Sequence, residues 1–372
     1  MKKKVLIISY TDVSRDPRPL RQIRALNKDY YVHVLAVDKS GEEQAFTKLN
    51  KVKLFHDVFR IILIKLGLYQ CYYWDKFKKQ AVHDLKDDKF DLVIAHEIRL
   101  LPLALRVSKG AEVILDAHEY SPKNFDDDFL WRLFIKRYYT WLCKTYLPKI
   151  QTLFSVSQGI VDEYEKVFGV ESILLTNACE YYDLNPTPVN DKIKIIHHGI
   201  ASPSRKLELM IEVMKHTDSR FELYLMLVHT KFTERYVKKL RSLAKNMDNV
   251  FFIGPVSKHD LVSFTNRFDI GMIFVPPFNF NLQHGLPNKF FEMVQSRMAV
   301  ACGPFIEISP YIKKYNLGII SKTWEPKSMA IALNELSNED VYRLKMNDHN
   351  SAMEISSEKE TEKFLNIIKR YL

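Results

Sequence analysis

The sequence predicts an α/β fold made of two domains, each a parallel sheet covered by helices, with the two sheets facing a cleft. Short apolar runs rich in β-branched residues alternate with segments of helical period along the whole chain, the pattern of buried parallel strands. At 372 residues the chain exceeds one usual core and suits two domains of about 180 residues each. A polar, proline-bearing stretch, Asn185-Pro186-Thr187-Pro188-Val189-Asn190-Asp191, interrupts the alternation near its middle.

The elements follow in order. Met1-Lys2-Lys3-Lys4 followed by Val5-Leu6-Ile7-Ile8 imitates the charged start of a secretion signal. The apolar run breaks at Ser9-Tyr10-Thr11-Asp12, too soon for a signal's core, so Lys4 to Ser9 reads as a first strand. Further strands are expected at 31–37, 91–96, 112–117, 152–156 and 173–177. After the polar stretch they resume at 192–197, 221–228, 250–253, 270–274, 300–301 and 317–320. Helices are expected between them, at 20–26 in the first half and at 205–215, 234–247, 260–268, 288–298 and 327–336 in the second. This sets an N-terminal Rossmann-like domain over 1–188 and a C-terminal Rossmann-like domain over 189–355. Residues 356–372 form a last helix, with Phe364, Leu365, Ile367 and Ile368 on one face, packing back on the first domain.

Composition bounds the function. Hydrophobic residues make up 47% of the chain and charged ones 27%, enough for packed interiors and too apolar for global disorder. The formal charge of +10 points to a polyanionic partner: nucleic acid, an anionic membrane or a phosphorylated small molecule. No nucleic-acid reader motif accompanies the charge, which sets that class aside. The four cysteines, Cys71, Cys143, Cys179 and Cys302, are widely spaced with no C-x-x-C pair, so neither a disulfide framework nor a zinc site is indicated and reducing cytoplasm is expected. The most lipophilic stretches, 60–70 and 129–147, are broken by basic residues and cannot span a bilayer.

In such sheets ligands bind beyond the carboxyl ends of strands. After the strand 270–274 an irregular loop runs through His284-Gly285 into Leu286-Pro287-Asn288-Lys289-Phe290-Phe291-Glu292. Pro287 suits the first turn of a helix, whose open amides attract an anion such as a diphosphate. Lys289 adds a point charge. Glu292, one turn on, is placed to accept hydrogen bonds from ribose hydroxyls. The same residues also fit an ordinary capped helix with an acid favouring its dipole.

The segment Leu286 to Glu292, followed by Met298-Ala299-Val300, resembles the L-P-N-K-x-F-E signature of glycosyltransferase family 4, whose members have the GT-B architecture. The resemblance implies a nucleotide-sugar site: Glu292 on the donor ribose and Lys289 on phosphate, with Asn288, Leu286 and Gly285 around them. It assigns acceptor binding to the domain over 1–188 and nucleotide-sugar binding to the domain over 189–355. Many members carry a glutamate eight positions before the acidic residue, touching the donor sugar. Here that position is His284, which cannot accept several hydroxyl protons as a carboxylate does.

Other segments fit the same resemblance. The strand 192–197 leads into His198-Gly199-Ile200-Ala201-Ser202-Pro203-Ser204-Arg205, like the family's glycine loop and basic helix start, which implies that Arg205 binds the diphosphate; a guanidinium suits this through bidentate contact. In the first half, the strand 112–117 delivers Asp116-Ala117-His118-Glu119. The family has a histidine in such a position near the reacting carbon, so His118, with Glu119 beside it, is the catalytic expectation. Asp16, Arg18, His96 and Glu97, at other strand ends and the first helix start, are expected at the acceptor; a capped, ion-paired helix start and a polar loop explain them equally well. No G-x-G-x-x-G appears, which argues against a nicotinamide or flavin site. No D-x-D pair beside a strand suggests a metal-held diphosphate.

What the resemblance implies is a hexosyltransferase that moves a sugar from a nucleotide diphosphate, UDP favoured over GDP, to a glycan or lipid-linked acceptor in cell-surface polysaccharide synthesis. Retention of anomeric configuration, metal independence and no further cofactor are expected. The alternatives are a sugar-nucleotide epimerase and a catalytically silent GT-B binding subunit, the latter motivated by His284. Residues 129–144 interleave aromatic and basic side chains with no acid, and Phe59 to Lys79 repeats the flavour, as in a helix lying on an anionic membrane. A core helix with snorkelling lysines gives the same pattern. The expected location is cytoplasmic, with a peripheral place on the inner membrane face.

Overall fold

The computed structural model describes residues 2–50 and 58–372, and in the helix Val58–Lys65 the side chains from Ile62 onward. The part of the Phe59–Lys79 expectation that concerns Phe59, Arg60 and Ile61 lies outside the described residues. Contacts divide the chain into two compact units: Met1–Thr176 with Phe278–Gly285 and Glu360–Leu372, and Asn177–Pro277 with Leu286–Lys359. The sequence boundary at 188 thus falls inside the opening segment of the second unit.

In the first unit the described residues form a seven-stranded, wholly parallel sheet: β1 (Lys4–Ile8), β2 (Tyr31–Ala36), β3 (Ala45–Lys48), β4 (Leu92–His96), β5 (Glu112–Ala117), β6 (Thr152–Ser155) and β7 (Glu171–Leu174), in the order β3-β2-β1-β4-β5-β6-β7. The strands read as continuous apolar runs because both faces are covered. Leu6, Ile8, Val93 and Leu115 join one buried cluster and Val5, Ile7, Ile94 and Ile114 another. Phe364, Ile367 and Ile368 of the helix Ser357–Ile368 belong to that second cluster, burying an apolar stripe at helical spacing. β3 was not expected. It is four residues long, carries one large apolar side chain and, among the described residues, pairs only with β2, too little pattern for a period to show.

The second unit repeats the plan with β8 (Ile193–Ile200), β9 (Phe221–Val228), β10 (Val250–Ile253), β11 (Ile270–Ile273), β12 (Ala299–Cys302) and β13 (Gly318–Ile320), parallel in the order β10-β9-β8-β11-β12-β13. Strand β8 continues three residues past the expected end at His197, so His198 and Gly199 pair within the sheet, opposite Met226 and Leu227 of β9. Both sheets reverse strand order beside their first strand, between β1 and β4 and between β8 and β11. At such a point adjacent connections leave to opposite faces and open a crevice at the carboxyl ends.

The stretch expected as one helix over 129–144 is a π-helical turn, Trp131–Ile135, followed by an α-helix, Lys136–Tyr146. Tyr138, Leu142, Cys143 and Tyr146 are buried, whereas Phe129, Leu130 and Leu133 are exposed. The α-helical part is therefore core, and the exposed apolar residues precede it.

Candidate functional site

At the switch point of the second unit, two cations converge on a bare backbone carbon. The helix Asn288–Gln295 begins directly after Pro287, which is its N-cap with extended backbone rather than its first helical residue. Phe290, Phe291, Met293 and Val294 are buried and fix the helix against the sheet. This turns Lys289 toward the end of β8. Its Nζ donates to the carbonyl of His198 at 3.0 Å and approaches His197 Nε2 at 3.4 Å. His197 Nδ1 lies 2.8 Å from the carbonyl oxygen of Met272. That places the proton on Nδ1 and leaves Nε2 as the acceptor facing Lys289.

Gly199 has φ +131, and a β-carbon there would lie 3.3 Å from Lys289 Nζ and 3.6 Å from Arg205 Nη1. Arg205 ends the short turn Pro203–Arg205, ahead of the helix Glu208–Met214, instead of opening a helix. Among the described residues neither Lys289 nor Arg205 has a carboxylate within 4.0 Å. Burial, Arg205 beside it and only partial relief from Glu292 bring the Lys289 ammonium down to about 7. Burial likewise lowers Arg205. Lys289 and Arg205, without a carboxylate partner among the described residues, stand beside a glycine whose missing side chain leaves room, at the start of a helix whose first-turn amides favour negative charge; the arrangement has the chemistry an anion would need.

Glu292, one turn along the same helix, places Oε2 3.8 Å from His198 Nε2. Burial raises its carboxyl, opposed by Lys289 and Lys258. His198 is held at about 3 by burial and by Lys289, and His197 well below its ordinary value by the same causes; both rings are neutral. The structure thus brings Arg205, Lys289 and Glu292 together as the sequence suggested and adds His197 and His198. A histidine within an apolar run reads as core, so no sequence signal marked His197. Leu286 is buried and packs with Phe290 and Phe291, and Asn288 is exposed at the helix start.

His284 and Gly285 group instead with the first unit. His284 caps the short helix Phe280–Gln283, its ring 4.5 Å from that of Phe280. Asn281 anchors this segment, its Oδ1 accepting from the Tyr120 amide at 2.8 Å.

The first unit gathers a second set at the carboxyl ends of β4 and β5. Asp116 is wholly buried and takes Arg18 in a forked pair, Nε at 2.9 Å from both oxygens and Nη2 at 2.7 Å from Oδ1. Gln22 Nε2 donates to Oδ2 at 2.6 Å. Burial alone would raise this carboxyl, but Arg18, His96 and His118 hold it below the ordinary aspartate range. Arg18 also donates to the carbonyls of Leu175 and Thr176 and is buried. This corrects the acceptor expectation for Arg18, whose guanidinium is engaged inside the fold. Asp16 caps the helix Pro17–Asn27 through the Arg18 amide.

His96 Nδ1 lies 3.2 Å from His118 Nε2 and 3.8 Å from Asp116 Oδ2. Buried at 2% exposure, His96 does not reach an acceptor directly either. His118 and Glu97 do reach the surface; their side chains are 23% and 29% exposed, with Nδ1 and Oε1 3.6 Å apart. Burial lowers His118 to about 3 and, with Glu119, raises Glu97. Glu97 holds φ 75, uncommon for a residue with a side chain. Glu119 is exposed. His96, Asp116 and His118 are close enough to surround an ion. The guanidinium already forked onto Asp116 sets a positive charge against any cation there.

Comparison with family models and with curated proteins returns no match. Among solved structures the chain is similar to HepE from Anabaena in complex with UDP and glucose, with a TM-score of 0.71 at 12% identity over 99% of this chain and 100% of that one. It is similar to a sucrose-phosphate synthase from Thermosynechococcus elongatus, with a TM-score of 0.73 at 11% identity over 99% of both chains. A glycosyltransferase from Rickettsia africae gives 0.68 at 12% identity over 100% of this chain and 98% of that one. The fold is therefore the GT-B fold of these proteins, two Rossmann-like domains of parallel strands.

Proposed function

We propose that the protein is a glycosyltransferase that uses a nucleotide diphosphate sugar as donor. The observation that carries this reading is the pairing of Lys289 and Arg205, without carboxylate partners, at the bare Cα of Gly199, one helical turn from Glu292. That arrangement supplies positive charge for a diphosphate and a carboxylate for an adjacent diol. Transfer requires the leaving diphosphate to be stabilised while positive charge develops at the anomeric carbon, a task for preorganised cations and amides. HepE, of the same fold, has been solved with UDP-glucose, which supports UDP over GDP and a hexose donor.

The finer reading continues from the same residues. With the diphosphate charge met by Arg205, Lys289 and helix amides, a metal is not needed to hold it. Activity abolished by a chelator and restored by manganese would overturn that point. Among the described residues the one carboxylate assigned to the donor, Glu292, is given to the diol and no separate nucleophile is evident, so attack of the acceptor on the face the phosphate leaves, with retention, fits best. The acceptor is a glycan or lipid-linked sugar of cell-surface polysaccharide synthesis, reached at the inner face of a membrane.

Support for the membrane comes from one surface of the first unit. Ile62, Leu66 and Leu68 lie exposed on one segment, and Phe129, Leu130 and Leu133 on another. Lys65 Nζ sits 4.7 Å from the Phe134 ring and ties the two together. Arg132, Lys136 and Arg137 are exposed beside them. Each base gains roughly 1 kcal/mol near an anionic leaflet. Flotation with phosphatidylglycerol vesicles is expected and is lost in Leu66→Ser/Leu133→Ser; equal flotation with neutral vesicles counts against the charge-assisted mode.

Screening nucleotide sugars by thermal unfolding tests the central reading. A donor at a hundred times its Kd stabilises by about 2.7 kcal/mol. That raises the melting temperature of the binding domain by roughly 5 to 10 °C. Shifts with every nucleotide sugar unchanged in Lys289→Ala and Glu292→Ala would refute the site.

A further inference from the structure

Two neutral rings that meet nitrogen to nitrogen share one proton, and its position decides what each ring offers elsewhere. His96 Nδ1 and His118 Nε2 meet in this way at 3.2 Å. Two independent features place the proton on His96. The carboxylate of Asp116, kept ionised by its forked pair with Arg18, lies 3.8 Å from the same Nδ1 and attracts an N–H dipole there. The other ring nitrogen, His96 Nε2, is buried without a hydrogen-bond partner among the described residues. A proton on Nε2 would be a buried donor with no acceptor, a costly arrangement; a bare lone pair at that point is better tolerated.

We propose that His96 is a positioning residue that fixes His118 as the tautomer with its proton on Nδ1, so that His118 presents a hydrogen-bond donor, and no basic lone pair, to a bound sugar. His96 Nδ1–H donates to His118 Nε2, which occupies that nitrogen as an acceptor. The remaining proton of the neutral His118 ring sits on Nδ1, the nitrogen that faces Glu97 Oε1 at 3.6 Å on the surface side of the cluster. The chain of support runs from Arg18 through Asp116 and His96 to His118, and only the last member is open to a ligand. Burial keeps both rings neutral. The groups acting on the pair are Asp116, Arg18, Gln22 and Asp16, with Glu97 at the surface. That the ligand is a sugar rests on the transferase reading above; the tautomer does not.

Nitrogen-15 NMR of histidine-labelled full-length protein reads the tautomer directly, without donor, acceptor or turnover. His118, assigned by its loss in His118→Gln, is expected to show a pyrrole-type Nδ1 and a pyridine-type Nε2 between pH 6 and 8. His96→Asn keeps an N–H close to the position of Nδ1 and is expected to preserve that pattern. His96→Leu removes the donor and is expected to move His118 toward the Nε2–H form. A pyrrole-type Nε2 on His118 in the unsubstituted protein overturns the proposal, as does an unchanged His118 pattern in His96→Leu with native-like backbone spectra. If His96→Leu fails to fold, the pattern in the unsubstituted protein and in His96→Asn decides. With a donor in hand, His96→Leu is expected to lower kcat about tenfold or more with the donor KM little changed, and His96→Asn to recover most of it. A failed nucleotide-sugar screen would remove the transferase reading and leave the NMR result standing.

Discussion

Lys289 offers the sharpest test, because its surroundings make donor binding depend on pH in a calculable way. The ammonium stands near Arg205 and below bulk hydration, and its affinity for a proton falls to about 7 from the ordinary 10.5. The neighbouring histidines stay neutral through this range: burial holds His198 at about 3, and His197 lies well below its usual value. UDP-glucose is a suitable ligand because its diphosphate is a diester, fully ionised throughout the window. A bound diphosphate beside Lys289 demands the charged form. Going from pH 6 to pH 8 therefore reduces the fraction of free protein already protonated from about nine-tenths to about one-tenth, and Kd rises about tenfold. Binding takes up about half a proton at pH 7 and about nine-tenths of one at pH 8. Isothermal titration calorimetry in two buffers of different ionisation enthalpy measures that uptake. Lys289→Arg remains charged and is expected to bind with no such pH dependence. A Kd flat from pH 6 to 8 with no proton uptake in the unsubstituted protein would refute the reasoning. The sign for stability is opposite to that of an ion-paired lysine. The folded-state value lies below the unfolded one, so the unfolded chain binds more protons between pH 7 and 10.5, and the protein gains stability as pH rises through that range.

Three further outcomes follow from the same geometry. Gly199→Ala puts a methyl group where Lys289 and Arg205 converge, at a backbone φ of +131; the expected loss is about 1 to 3 kcal/mol of stability by chemical denaturation and most donor affinity by calorimetry, and unchanged affinity would remove the anion from that spot. Asp116→Asn leaves the buried Arg18 guanidinium without its counter-ion and is expected to destabilise by about 3 to 5 kcal/mol, whereas Arg18→Met with Asp116→Leu is expected to lose much less; urea unfolding of both variants checks the difference. The depressed Asp116 carboxyl contributes stability that is present above the ordinary aspartate value near 4 and is lost only as pH falls well below it, so a broad loss of structure between pH 6 and 5, followed by circular dichroism, would not come from this pair.

The legible parts of the sequence were those whose physics is local. A strand buried on both faces must be an unbroken apolar run, so β1, β4, β5 and β11 could be placed from composition alone, while β3, with one large apolar residue on a sheet edge, could not. The helix start at Pro287 was visible because proline is tolerated there, and it pointed to an anion. Pairwise partners are another matter. Arg18 meets Asp116 across 98 positions and Lys289 meets His197 across 92; nothing in the intervening residues encodes those meetings except the strand order. The two corrections share this origin. Arg18 and His96 stood at strand ends and a helix start where acceptor-binding groups belong, and their chemistry suited that task. The sheet order β1-β4-β5 instead folds them under Asp116, one as its counter-ion and the other as its link to His118. A polar residue at a strand's carboxyl end can thus face the ligand or support the residue that does, and the choice is made by which neighbouring strand carries the buried charge. Asp116, fully buried at the end of β5, takes the guanidinium beneath the sheet, while His118, two residues further along the same strand end, keeps part of its ring at the surface.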